Sequence, residues 1–554
     1  MVEQISQVSG AERVRRIDRW TLGAAVLAAL VLLPIVAILW IALWPEDNIW
    51  PHLISTTLPR YLSNTVMLML AVGGGSAVIG TLGAWVITMY QFPGRRVLEW
   101  ALLLPLAVPG YLGAYALVDF LEYAGPLQTA LREIFGWANA SDYYFPHIRS
   151  MGGAMFVLTA SLYPYVYLLA RAGFREQSGA VYEVARALGA GPSRRFFRVG
   201  VPLARPAVAA GTAIVMMETV NDFGTVDYFG VQTLTTGIFT VWLEAGNAGG
   251  AAQIATVILS MILLLVVIEK VSRKGRQVHR TARHDRPITR IELTGASRWI
   301  VPSLASLPPL LGFVMPVTVL GHHALTKPDR WIDGDLAEAL WNTVLVGGTA
   351  ALVTVTAALF LVYGVRLSGR MTPKRLLPVT TIGYAAPGAV LGIGILLPLA
   401  TFDNALADTI LAITGFDPGL ILTGGVAALV YAYSVRFFAI AQGAADAAMD
   451  RISPSLSMAA RALGQTAGGT LRRVYVPMIR GSIATALLLV FVDCVKELPA
   501  TLLLRPFNFD TLATRAYEQA SLEKIADAAP SGLLVILVSL SAVVFLARSM
   551  IRAR

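Results

Sequence analysis

Cysteine occurs once in 554 residues, at Cys494, which excludes a disulfide framework; its place inside an apolar run points to packing. Charge is also scarce. Asp, Glu, Lys and Arg make up 14% of the chain against 56% hydrophobic residues, too apolar a balance for a soluble protein. No Gly-Lys dipeptide occurs, so the phosphate-cradling loop G-x-x-x-x-G-K-[ST] is absent and the chain is not itself an ATPase. There is no H-E-x-x-H, no G-x-S-x-G and no metal-spaced Cys or His, which leaves a membrane enzyme without support. The short-period alternation of an outer-membrane barrel is missing too.

What is present is a succession of apolar runs, each long enough to cross a hydrocarbon core of about 30 Å. The expected fold is all-α and polytopic, with about twelve spans. They lie near 21–44, 63–90, 98–121, 152–172, 204–221, 250–270, 299–320, 341–363, 377–400, 420–442, 480–498 and 530–550. The basic tail (Arg13, Arg15, Arg16, Arg19) precedes a run too long for a signal-peptide core, so an uncleaved first helix is expected. Placing both termini in the cytoplasm puts 35 of the 44 Lys and Arg residues on that side, the positive-inside pattern of a bacterial inner-membrane protein. The opposite side carries Glu46, Asp47, Asp329, Asp333, Asp335, Asp403 and Asp408. The net charge of +10 thus reflects topology and lipid, not nucleic acid.

The chain repeats itself. Ser63-Asn64-Thr65-Val66 matches Trp341-Asn342-Thr343-Val344, and Ala107-Val108-Pro109-Gly110 matches Ala385-Ala386-Pro387-Gly388, both at an offset of 278. Thr233-Leu234-Thr235-Thr236 matches Thr511-Leu512-Ala513-Thr514 at 278 again. Six spans per half is an even number, so the halves are parallel repeats about an axis along the membrane normal. The expected division is a first membrane domain (1–268), a basic cytoplasmic linker (269–298) and a second membrane domain (299–554).

Two loops carry the most specific signal. Glu183-Val184-Ala185, Gly189 and Val199-Gly200-Val201-Pro202 share their spacing with Met458-Ala459-Ala460, Gly464 and Val474-Tyr475-Val476-Pro477. Small residues leave a slim helix face, Gly189 and Gly191 permit a chain reversal, and Pro192 suits a first helical turn; Thr466 or Thr470 is placed to cap its counterpart. This spacing resembles the coupling loop of binding-protein-dependent ABC importer permeases. The stretches 221–239 and 495–518 resemble, more narrowly, fused two-half permeases of the ferric-iron ABC importer family.

That resemblance, which covers nearly the whole chain, implies a subunit without catalytic residues or a tightly bound cofactor. Its partners would be two copies of a cytoplasmic ABC ATPase, which use the ATP, and a periplasmic iron-binding protein. It assigns ATPase docking to Glu183, Ala185, Gly189 and Pro202 in loop 183–202, and to Ala459, Ala460, Gly464 and Pro477 in loop 458–477. Met458 stands where the family has a glutamate, so the two dockings need not be equal. An ion-gradient transporter is the rival class, although it needs no matched docking loops. Thiamine or a polyamine is the rival cargo.

Aligned at an offset of 275, Glu218 falls on Asp493 and Asp222 on Glu497. The spacing i, i+4 predicts two acids on one helix face in each half, and four around the pseudo-two-fold axis form a candidate translocation pathway for a hard cation. The alternative is structural: Asp493 pairing with Lys496, and Glu218 bonding to backbone. No firm metal site emerges; His322-His323 reads as an interfacial pair. Pro109-Gly110 and Pro387-Gly388 read as a kink or a hinge, and Gly388-x-x-x-Gly392 as a close-packing face.

Overall fold

Proline and glycine punctuate a chain that is otherwise almost wholly helical. The computed structural model describes residues 19–45, 48–274, 288–368, 377–378, 380–381, 383 and 386–552. Arg13, Arg15, Arg16, Glu46, Asp47, the middle of the linker (275–287), residues 369–376 and Ala385 therefore lie outside the described residues. Among the described residues, eleven helices are long and apolar enough to cross a membrane. A bent pair, Arg95–Ala107 and Gly110–Phe135, meets at 96° and brings the number to twelve if it counts as one span. The all-α, multi-pass membrane class stands.

Pro109 and Pro387 are each the N-cap of a new helix, Gly110–Leu121 and Gly388–Thr414, and Pro109 stands in the 96° break of the bent pair. The ninth span therefore starts at Gly388, not near 377, and runs on to Thr414. The shift moves Asp403 from the expected outer surface to a fully buried helix position, where it accepts hydrogen bonds from the amides of Leu422 and Thr423, both at 2.8 Å.

The sequence repeat is a structural repeat. Asn64 Nδ2 donates to the carbonyl of Gln232 at 2.8 Å, and Asn342 Nδ2 to the carbonyl of Asp510 at 3.0 Å. One residue on, Thr65 Oγ1 accepts from Leu234 N at 3.0 Å, and Thr343 Oγ1 from Leu512 N at 2.8 Å. Both receiving helices, Leu234–Phe239 and Leu512–Ser521, begin with a Thr–Thr capping box. Two of the three matched motifs thus form two copies of one clamp, each tying the start of a second span (Leu58–Met89, Gly334–Ser368) to a short helix after the fifth.

The first span of each half lies against the other half. Trp20, in Arg19–Leu43, packs its ring 5.0 Å from Phe360 and 5.6 Å from Tyr363, and Tyr431 Oη donates to Leu30 O at 2.6 Å. In the seventh span (Ser297–Thr326), Gly312 packs against Pro105 and Ala160, and His323 Nε2 lies 2.9 Å from Asp119 Oδ2. His323 is therefore held by an acid of the first half.

The sole strand pairing among the described residues joins Tyr90–Gln91, at the end of the second span, to Ile291–Glu292 of the linker, in parallel. Leu293 N extends it, donating to Gln91 O at 3.1 Å. The far end of the basic linker is thus fastened to the first half, beside the helix that contains Glu183.

Candidate functional site: two helical loops and a charged cavity

Both loops fold as helix, glycine reversal, short helix. Gly179–Ala187 ends at Leu188, and Gly189 takes a left-handed φ of 76°. Pro454–Ala462 ends at Leu463, and Gly464 takes φ 80°. Ala190 N donates to Ala185 O at 2.9 Å and Gln465 N to Ala460 O at 3.0 Å, the six-to-one bond of a Schellman cap. Nothing lies within 4 Å of a side chain added at either glycine, so the backbone angle alone demands the residue. Pro192 opens the next helix, and Thr466, not Thr470, caps its counterpart through Gly469 N at 3.1 Å.

Each loop then enters its span through a wide π turn, Phe196–Gly200 and Leu471–Tyr475. Pro202 and Pro477 follow at once in the first turn of the next segment, where they have no N–H to offer and the register slips by one residue. Glu183, Gly189, Pro202, Ala459, Gly464 and Pro477 are exposed, Ala185 is half-buried and Ala460 is buried. Leu188 and Leu463 are 80% and 82% exposed at matching positions, two apolar knobs that the sequence pattern did not single out. Beneath the first loop Trp85 packs against Phe174, Tyr182 and Phe196; beneath the second, Tyr363 Oη donates to Ala467 O at 2.6 Å. Trp85 and Tyr363 are related by the repeat offset of 278.

The four candidate acids meet in one cavity of about 170 Å³, where the two halves face each other. Its wall also includes Tyr111, Ser161, Tyr165, Asn221, Arg436 and Lys496. The expected arrangement within each half, two acids on one helix face, does not hold. The fifth span (Val201–Asn221) stops before Asp222 and the eleventh (Val476–Val495) before Glu497, because each acid caps the next short helix instead. Asp222 accepts from the amides of Thr225 and Val226, both at 3.1 Å, and from Thr225 Oγ1 at 2.9 Å. Glu497 accepts from Ala500 N at 3.2 Å and pairs with Arg436 Nε at 3.2 Å.

The Pro-Gly motifs explain how these acids are reached. Gly110 and Gly388 each open a helix directly against an acid, so the carboxylates of Asp222 and Glu497 sit at helix N-termini that favour negative charge. A β-carbon on Gly388 would fall on Glu497 Oε1 and lie 2.6 Å from Arg436 Nη1; one on Gly110 would lie 2.7 Å from Thr225 Oγ1. Asp493 pairs with Lys496 Nζ at 2.9 Å, and Glu218 faces Arg436, Asp493 and Lys496. Among the described residues no group of three or more His, Cys, Asp or Glu side chains is arranged to hold a metal ion. The acids form a paired, mixed-charge wall instead of an open ring of oxygen ligands.

A second charged cluster, not anticipated from sequence, lies near the first loop: Glu99 is buried with Arg95 at 3.3 Å, and Arg171 donates to it as well. Arg171 corresponds at offset 275 to Asp446, which pairs with Arg366 at 2.6 Å, so the sign of the charge is exchanged between halves.

Helix-broken spans around an internal polar cavity, repeated twice in parallel, define a membrane transport subunit. Residues 76–276 match the family of binding-protein-dependent transport system inner membrane components. It is 26% identical over 491 residues to the Fe(3+)-transport system permease protein FbpB 2 of Haemophilus influenzae, covering 87% of this chain and 88% of that one. Shorter relatives match about a third of the chain. The molybdenum transport system permease protein ModB of Escherichia coli is 25% identical over 36% of this chain and 88% of its own length. The sulfate transport system permease protein CysT of Escherichia coli is 28% identical over 37% and 73%.

Proposed function

We propose that the chain is the complete membrane path of an importer that takes ferric iron from a periplasmic binding protein into the cytoplasm. The observation that carries this is the pair of equivalent helix–glycine–helix loops, each continuous with a span that ends at the charged cavity. Two copies of a separate ATPase dock at 183–202 and 458–477, on the cytoplasmic side with both termini. Glu183, Ala185 and Gly189 form the first contact with Pro202 at its base, and Ala459, Ala460 and Gly464 the second with Pro477. Closing of the ATPase dimer brings the loops together and rocks the halves about the cavity; hydrolysis resets them. ATP is consumed on the partners, and this chain keeps no resident cofactor.

Iron as cargo is supported by the ferric relative, which matches 87% of the chain, whereas the molybdenum and sulfate relatives match 36% and 37%. Glu218, Asp222, Asp493 and Glu497 make the pathway negative enough to draw a cation in. The test is uptake of radioactive iron into vesicles holding this chain, the ATPase and the binding protein. Changing all four acids to amides should abolish uptake while ATPase activity still responds to the binding protein. Normal iron uptake by that variant, or uptake of molybdate or sulfate in its place, would sink the reading.

A further inference from the structure

Three tyrosine rings form a file that leads away from the cavity. Tyr111 lines the cavity, the Tyr115 ring centroid is 5.8 Å from that of Tyr111, and Tyr228 meets Tyr115 edge-on at 4.5 Å. The guanidinium of Arg149 stands 5.1 Å above the Tyr228 ring. Arg149 precedes the fourth span (Met151–Arg175), at the end opposite the docking loop into which that span leads. The file thus joins the charged cavity to the face of the molecule away from that loop. The three residues are 5%, 0% and 8% exposed, and none of their hydroxyls has a hydrogen-bond partner among the described residues. An unpaired buried hydroxyl costs about 1–3 kcal/mol. The fold does not require these: at offset 278 Tyr111 and Tyr115 correspond to Ala389 and Ile393, fully buried alkyl groups at the same positions of the ninth span.

A phenol can accept from a ligand or donate to one, so the surrounding charge decides which ligand it suits. Asp119, Glu122 and Glu523 act on Tyr228 and Asp227 acts on Tyr115, against Arg149 and the His323 that holds Asp119. Arg149 is shared between Glu122 at 2.7 Å and Glu523 at 3.1 Å, and Asp227 is met by a neutral partner, the Tyr517 hydroxyl, at 2.6 Å. Four acids thus outweigh one arginine and one histidine, and the field along the file favours a cation. We infer that the hydroxyls of Tyr111, Tyr115 and Tyr228 form a binding site for a hard metal cation on its way to the cavity, supplying three neutral oxygen ligands. Neutral oxygens hold such an ion more loosely than carboxylates do, as a site that must pass its ion on requires. The site rests on the importer reading for the direction of travel, and it needs none of the four cavity acids to be free.

Changing each tyrosine to phenylalanine keeps the ring and removes only the oxygen. The experiment measures Tb3+ binding to the purified full-length chain in detergent by equilibrium dialysis. It compares wild type, the triple variant Tyr111→Phe with Tyr115→Phe and Tyr228→Phe, and Tyr163→Phe. Tyr163 is the control: its hydroxyl is also buried without a partner among the described residues, but it packs in the separate core around Trp85. The triple variant should bind Tb3+ at least about tenfold more weakly with an undiminished melting temperature, and Tyr163→Phe should bind it as wild type does. Unchanged Tb3+ affinity in the triple variant, or an equal loss in the control, overturns the inference. So does a lower melting temperature of the triple variant, since the hydroxyls would then be serving the fold. Binding is read without ATPase or binding protein, so an uptake assay that fails or favours another cargo leaves this result standing on its own.

Discussion

Replacing Gly388 by alanine adds one methyl group at the point where the ninth span meets the pair formed by Arg436 of the tenth span and Glu497, just past the eleventh. The new carbon would overlap Glu497 Oε1, approach Arg436 Nη1 to 2.6 Å and lie 3.1 Å from Ala500 N. One neighbour is backbone and the other two are locked in a buried ion pair with side chains 5% and 12% exposed, so none can swing away freely. Overpacking of this kind costs about 1–3 kcal/mol, and separating a buried pair costs about 3–5 kcal/mol. The expected loss is therefore at least about 2 kcal/mol of unfolding free energy in mixed micelles. Gly110→Ala, whose nearest neighbour is the Thr225 hydroxyl at 2.7 Å, should cost less, because a hydroxyl can rotate. Gly348→Ala is the control: it lies inside the eighth span with nothing within 4 Å and should be neutral or stabilising by about 0.5–1 kcal/mol. If Gly388→Ala proved as mild as Gly348→Ala, the close approach of helix terminus to acid would be wrong.

Other perturbations are similarly direct. Gly189→Ala and Gly464→Ala each place a side chain in left-handed backbone; each should cost about 1 kcal/mol and lower ATPase coupling in the reconstituted complex more than it lowers overall stability. Glu99→Gln leaves Arg95 and Arg171 buried beside a neutral group and should cost about 3–5 kcal/mol in thermal unfolding, whereas the half-exposed Arg366→Gln should cost under about 1 kcal/mol. Asn64→Ala and Asn342→Ala each remove one bond of a clamp and should cost about 1–2 kcal/mol apiece, additively, because the clamps belong to separate halves. Outside the spans, the hydrogen bond from Arg515, at 2.5 Å, holds the Asp333 carboxyl below its ordinary range. Its contribution is present above the unfolded value near 4 and fades as pH falls through the lowered folded value, so wild type and Arg515→Gln should converge in stability in acid.

Span number, the repeat and the two loops were legible because each has a local signature: an apolar run of fixed length, a matched motif, a glycine at a fixed offset. Pro192 and Gly189 behave as their covalent geometry dictates wherever they occur. The acids were found by type and misjudged in placement. Their spacing of four fits a continuing helix, but Asp222 and Glu497 are better satisfied by capping the helices that follow, and nothing short of tertiary structure brings Gly110 or Gly388 to them. Arg436 was missed for the same reason. It lies 61 residues before Glu497, and only the packing of two spans makes them a pair. The Glu99 cluster was likewise invisible, being assembled from two spans that share no motif.

The exchange of first spans between halves also bears on how the molecule is made. The helix Arg19–Leu43 is the first to emerge during synthesis, yet the rings of Phe360 and Tyr363 that cover Trp20 are some 340 residues later in the chain. The sixth span covers one side of it, but the face toward Phe360 and Tyr363 must wait in the bilayer until the eighth and ninth spans have been inserted. The seventh span has the opposite experience, because Pro105, Ala160 and Asp119 are already in place when it arrives. The oldest helix thus stays half covered until the second half arrives, and a truncated product lacking residues past 330 would display that face of the first span to the membrane's quality-control proteases.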